Sequence, residues 1–383
     1  MLIAFLINPI AGMGGTVALK GTDGLAQEAI KLGAQPVSPV RADLFFQTLQ
    51  LIDDTAFKEN LSFIVPPEPM GEQIIKKFSF NYKTIGLVIN KAFTTAEDTR
   101  KSVELFENEK VDLIIFVGGD GTSVDVGTAV LHDTPILGIP SGVKTYGSVF
   151  SHSPEEAVSI LRSFILNKEV NTAELLDLDE HQYKLGIISI SLKGIVFVPA
   201  SPEYFQNAKE RVESSSSELF ALEGIAKEII DILTQQKGKK IVIVGPGSTF
   251  NPLAAMLRVK RSVLGVDIVA FSEQMACTII VRDAREDQIF DILGQSESIF
   301  LLLTPIGGMG YLLGRGNHQL SPRVLQKIPK ENILVACSNQ KLQTIKNQVL
   351  RVDTIDKNFN LSLAGYIRVI TNLGEIKMVK IIH

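Results

Sequence analysis

The residues best suited to chemistry in this chain are Gly118, Gly119, Asp120, Gly121 and Thr122, within "VGGDGTSVDV". They follow the apolar run "VDLIIF". Glycine-rich turns after such strands present bare backbone N–H groups to anions, phosphates above all. Here the tip of the turn is an acid. Two like unit charges ~4 Å apart repel by roughly 4 kcal/mol at an effective dielectric of 20, so Asp120 is not itself the cradle. Beside a cradle, a carboxylate has two uses. It binds the Mg²⁺ that accompanies a nucleotide, or it accepts the proton of a hydroxyl attacking a phosphate. Such a base can be weak, because phosphoryl transfer runs mostly on positioning and charge stabilisation. The structural alternative is a tight Gly-Asp-Gly turn in which Asp tolerates left-handed backbone. With Thr122 as N-cap of the next helix, Asp125 falls at N3 and approaches a capping box; a metal-side role is its other reading.

Further turns share this texture. "NPIAGMGG" follows the first strand and carries Asn8, Gly12, Gly14 and Gly15, with Lys20 beyond it. "IPSGVKTYG" carries Ser141, Gly142 and Lys144, a point charge for a phosphate. In the second half, "VGPGSTFNP" offers N–H and O–H groups of Gly245, Gly247, Ser248 and Thr249 to an anion. "TPIGGMGYLLGRGN" holds Thr304, Gly307, Gly308 and Arg315, the last a candidate phosphate clamp. Ordinary strand–turn–helix junctions and a β-bulge region are the structural alternatives.

Elements must place these turns. Residues 1–165 alternate strand-like runs, "LIAFLI", "SFIV", "TIGLVI", "VDLIIFV" and "PILGI", with helical patterns such as "DGLAQEAIKLG" and "TAEDTRKSVELFEN". Near-continuous apolar strands between helices predict an α/β domain with a parallel sheet covered on both faces. Ligands of such sheets bind at the carboxyl ends of the strands, where these turns lie. Residues 166–383 read as a mixed, β-rich second domain. There "HQYKLGIISISLKGIVFVP" suggests two strands about an "LKG" turn, a serine caps the helix "ELFALEGIAKEIIDIL", and "NLGE" closes a hairpin.

The chain of 383 residues has a net charge of −4, which argues against nucleic acid or an anionic membrane as partner. Its two cysteines form no paired motif and its five histidines no zinc spacing. No apolar run approaches the ~20 residues of a membrane span. A cytoplasmic protein is expected.

Taken in order, "NPIAGMGG", "FVGGDGT" and "TPIGG…RGN…SP" resemble the ATP-NAD kinase family, and in particular its predicted polyphosphate/ATP-NAD kinase branch, which includes a protein associated with acetoin catabolism. The resemblance implies an α/β domain followed by a β-rich one. It implies Mg²⁺, ATP or polyphosphate as donor, NAD as acceptor, and a homo-oligomer, dimer or tetramer. It places the base that serves the 2′-hydroxyl of the adenosine ribose at Asp120. Gly118, Gly119, Gly121 and Thr122 become the donor-phosphate turn. The family signature "TPTGSTAY" has its likeness in Thr304 to Tyr311, "TPIGGMGY", without the signature's Ser-Thr-Ala. Asp267 stands in for an absent Asn-Glu pair. Diacylglycerol- or sphingosine-type kinases share part of the pattern, and a non-catalytic nucleotide-binding regulator is a third possibility.

Overall fold

The computed structural model describes residues 1–19, 25–91, 93–141, 145, 147–178, 190–201, 204–205, 216–272, 276–294 and 298–383. By compactness the chain forms two units, Met1–Met13 with Gly21–Ala208, and Gly14–Lys20 with Lys209–His383.

The first unit is built on strands β1 (Leu2–Ile7), β2 (Ser62–Val65), β3 (Asn81–Thr84), β4 (Leu113–Gly118) and β5 (Ile136–Pro140). They pair in parallel in the order β3-β2-β1-β4-β5. β4 and β5 are buried throughout, and β1 beyond its first residue, as strands covered on both faces must be. The helix Ser38–Gln50 brings Phe45 and Phe46 against Phe5 and Phe63, with edge-to-face geometry dominating. The helix Ala96–Asn108 starts on a capping box between Thr95 and Asp98. The run "TIGLVI" is not a strand: β3 ends at Thr84, where that run begins, and Val88 is 95% exposed. An edge strand buries neither face fully, so its residues need not be apolar.

A pair of antiparallel strands, β6 (Val170–Leu178) and β7 (Ile190–Pro199), completes this unit. "LKG" is no turn, because Leu192, Lys193 and Gly194 lie inside β7. Leu192 pairs with Leu176 and Gly194 with Leu175, which makes Lys193 the extra residue of a bulge. Ala173, Leu175, Val196 and Val198 join the core of the parallel sheet. That packing carries the compact unit to Ala208 instead of ending it at the expected 165.

The second unit contains β8 (Lys240–Val244), β9 (Asp267–Phe271), β10 (Cys277–Val281), β11 (Ile299–Leu303), β12 (Tyr311–Leu313), β13 (Ile333–Ala336), β14 (Leu350–Val352), β15 (Gly365–Asn372) and β16 (Glu375–Ile382). They form one mixed sheet, β10-β9-β8-β11-β13-β15-β16-β14-β12. Its centre, from β8 through β11 and β13 to β15, is parallel. Side chains alternate between two cores. Ile241, Ile243, Leu301 and Leu303 face one; Val242, Val244, Phe300 and Leu302 face the other, beneath Ile225, Ile229 and Leu233 of the helix Ser216–Gln235. The residues that would cap that helix fall outside those described. The "NLGE" hairpin forms, Asn372 pairing with Glu375 around Gly374 at φ +66°.

Candidate active site

In the first unit, the ends of three neighbouring strands converge. Asn8, just past β1, donates its backbone N–H to Val117 O at 2.9 Å, and Ser141, just past β5, donates to Gly118 O at 3.0 Å. The Asn8 side-chain amide donates to Thr122 Oγ1 at 3.0 Å. Its carbonyl accepts from Ile10 N at 3.3 Å, which sets the turn after β1.

Asp120 is the first residue of the helix Asp120–Ala129, after Gly119 in extended conformation. It is 4% exposed, and its Oδ1 accepts from Gly147 N at 3.2 Å. An acid in the first turn of a helix is favoured by the helix dipole. The helix therefore begins before Thr122, so Thr122 is not its cap and Asp125 completes no capping box. Asp125 instead accepts from Arg100 Nη1 at 2.6 Å.

The glycines have separate reasons. A Cβ on Gly118 would lie 2.4 Å from Thr122 Cβ. One on Gly12, at φ +82°, would lie 2.1 Å from Ser141 O. One on Gly121 would meet nothing within 4 Å, so the turn faces open space there. Lys20, Gly142 and Lys144 lie outside the described residues.

Gly14 and Gly15 group with the second unit instead. Gly14 O accepts from Leu19 N at 2.9 Å, and a Cβ on Gly15 would lie 2.8 Å from the His318 ring. Close packing accounts for Gly15 here.

The second-unit turns resolve into different roles. Gly245 N donates to Leu302 O at 2.9 Å and Gly247 N to Val263 O at 2.7 Å, so neither N–H is offered to an anion as expected. Arg261 binds both carbonyls, at 2.7 Å to Gly245 O and 2.6 Å to Gly247 O. Gly308 N donates to Thr344 Oγ1 at 3.0 Å, and Gly307 is buried. Arg315 is no phosphate clamp: it is 3% exposed, pairs with Asp353 at 2.5 Å and stacks over Tyr311 at 4.7 Å. Asp267 is fully buried and accepts from Ser262 N at 2.5 Å and Asp283 N at 2.8 Å, which makes it a loop anchor. Burial raises its pKa against the pull of those N–H groups and of Arg261. Burial also pushes the Cys277 and Cys337 thiols up to about 11, consistent with inert structural cysteines.

Ser248 is exposed, whereas Thr249 and Thr304 are buried with their hydroxyls 2.9 Å apart. Lys341, which sequence reasoning passed over, donates to both, at 3.2 and 3.0 Å. The available signal was its place just after the strand "NILVAC". Burial lowers its pKa.

The family model for the ATP-NAD kinase N-terminal domain matches residues 41–170, and that for the ATP-NAD kinase C-terminal domain matches residues 233–381. The chain belongs to the ATP-NAD kinase family, and its parallel sheet followed by a separate mixed sheet is that family's two-domain architecture. No curated protein and no solved structure matches it. Membership supports a kinase carrying out NAD kinase-type phosphotransfer. No helix of the described residues is long and apolar enough to cross a membrane.

Proposed function

We propose that this protein transfers a phosphoryl group from ATP or polyphosphate to the 2′-hydroxyl of NAD, giving NADP. The observation that carries the reading is Asp120: a buried carboxylate held by the Gly147 N–H, at the head of a helix and at the carboxyl ends of β1, β4 and β5. The attacking hydroxyl would donate to Asp120, whose position, more than its basicity, aligns the oxygen with phosphorus. As the O–P bond forms and the bond to the donor breaks, the hydroxyl proton passes to the carboxylate. N–H groups of the turn from Gly118 to Thr122 would hold donor phosphates, with the open side of Gly121 giving them room.

Among the described residues no group of three His, Cys, Asp or Glu could hold a metal. A single carboxylate, Asp120, suits Mg²⁺ arriving on nucleotide phosphates, where the ion neutralises their charge. Family likeness further supports a homo-oligomer working in the cytoplasm. "TPIGGMGY" has Gly-Met-Gly where the family signature has Ser-Thr-Ala, losing those two hydroxyls, which favours a regulator without turnover as the second reading.

The test is NADP formation from NAD and Mg²⁺ with ATP or with polyphosphate, for the wild type and Asp120→Asn. Turnover that falls on the order of a hundredfold or more in the variant is the expected result. Folded protein that binds nucleotide yet forms no NADP with either donor would sink the reading.

A further inference from the structure

Lys341 lies in the second unit, just past β13, and its two acceptors lie past β8 and β11. These three strands are neighbours and parallel, so their carboxyl ends open on one edge of the sheet. That edge is where open α/β sheets take their ligands. Gly247, at φ +123°, lets the β8 turn approach: a Cβ there would lie 2.6 Å from Thr304 Cγ2.

The donor inventory is uneven. An ammonium has three N–H donors and a hydroxyl one. Lys341 gives one hydrogen to Thr249 Oγ1 and one to Thr304 Oγ1. One threonine hydroxyl donates to the other. Among the described residues, one ammonium N–H and one hydroxyl O–H are left over. Among the described residues, no salt bridge joins Lys341 to a carboxylate; Glu218, which accepts from Ser338 Oγ at 2.7 Å, acts on Lys341 through space and not by a hydrogen bond. A cation whose bonded acceptors are neutral, beside a surplus O–H, is a receptor for an oxyanion.

We propose that Lys341, Thr249 and Thr304 form an anion site at the carboxyl ends of β8, β11 and β13 that takes a phosphate group of a phosphorylated ligand. Lys341 supplies charge and one N–H, and a threonine hydroxyl supplies the second hydrogen bond. The loss of solvation that Lys341 bears in the protein is offset when the anion arrives. The site does not depend on which hydroxyl Asp120 serves.

Lysine labelling tests this directly. The full-length protein is pulsed with acetic anhydride with and without inorganic pyrophosphate, and acetylation is read peptide by peptide by mass spectrometry. Labelling of Lys341 should fall at least fivefold with pyrophosphate while that of exposed lysines such as Lys110 stays constant. Separate arms with NAD and with ATP identify which ligand brings the phosphate. Protection should persist in Asp120→Asn, which separates this site from the proposed catalytic one. Unchanged Lys341 labelling in all three arms, or protection lost with Asp120→Asn, would overturn the proposal.

Discussion

The side-chain amide of Asn8 donates to the hydroxyl of Thr122 at 3.0 Å across 114 residues of sequence. This bond ties the turn after β1 to the helix that Asp120 begins. Thr122→Val should leave the Asn8 amide without its acceptor and cost about 1–2 kcal/mol, read as a lower urea midpoint. Thr122→Ser should keep the bond and most of the turnover. Equal midpoints for both variants would show that the tie is not stabilising.

Gly118 and Gly121 should respond oppositely to alanine. Gly118→Ala drives a methyl group into the Thr122 side chain and should cost about 1–3 kcal/mol. Gly121→Ala meets no protein atom and replaces a poor helix former, so stability should rise by up to about 1 kcal/mol. If donor phosphates approach that face, the stabilised variant loses turnover. Denaturant curves and NADP assays on the same samples check both halves.

Arg315→Ala removes one member of a buried ion pair and strands the charge of Asp353. Such truncations cost about 3–5 kcal/mol. Thermal and urea unfolding should show a severe loss. Nucleotide affinity of whatever remains folded should be unchanged, since the guanidinium is committed to Asp353 and to the Tyr311 ring.

Glu286 supplies a pH-dependent term. Burial pushes its pKa up, but hydrogen bonds from Arg323 and Ser321 outweigh that and leave it below 4.5. A carboxyl lowered on folding stabilises above its unfolded pKa, and that contribution fades as pH falls through the folded value. The stability difference between wild type and Glu286→Gln should therefore be flat from pH 7 to about 5 and shrink below 4.5. Arg323 is largely exposed, so the difference will be modest and weaker in high salt. A difference that grows on acidification would contradict the sign.

Much of the first unit was legible because β1, β4 and β5 are covered on both faces and therefore read as unbroken apolar runs. β3 was misplaced for the opposite reason: an exposed edge strand has no such pattern, while the neighbouring "TIGLVI" does. The Asp120 turn announced itself through its glycines. Its tie from Asn8 did not, because no local pattern encodes a bond between residues so distant. Arg315 illustrates the converse limit. A cation in a glycine-rich loop suggests a ligand, and only its burial against Asp353 and Tyr311 shows that its partners are internal. Lys341 was overlooked because its acceptors come from two other strands.

The short segment Gly14–Lys20 groups with the second unit although the chain on either side of it groups with the first. Thr16 O accepts the Glu286 N–H at 3.0 Å, and Gly15 packs on His318. A gene divided at codon 209 would thus produce two incomplete products. The downstream polypeptide would lack a piece of its own fold, and the upstream one would carry that piece with nothing to dock it. Co-expressing the halves, or adding a synthetic peptide spanning residues 14–20 to the downstream half, becomes a complementation assay for how much of the second unit's stability is borrowed from the start of the chain.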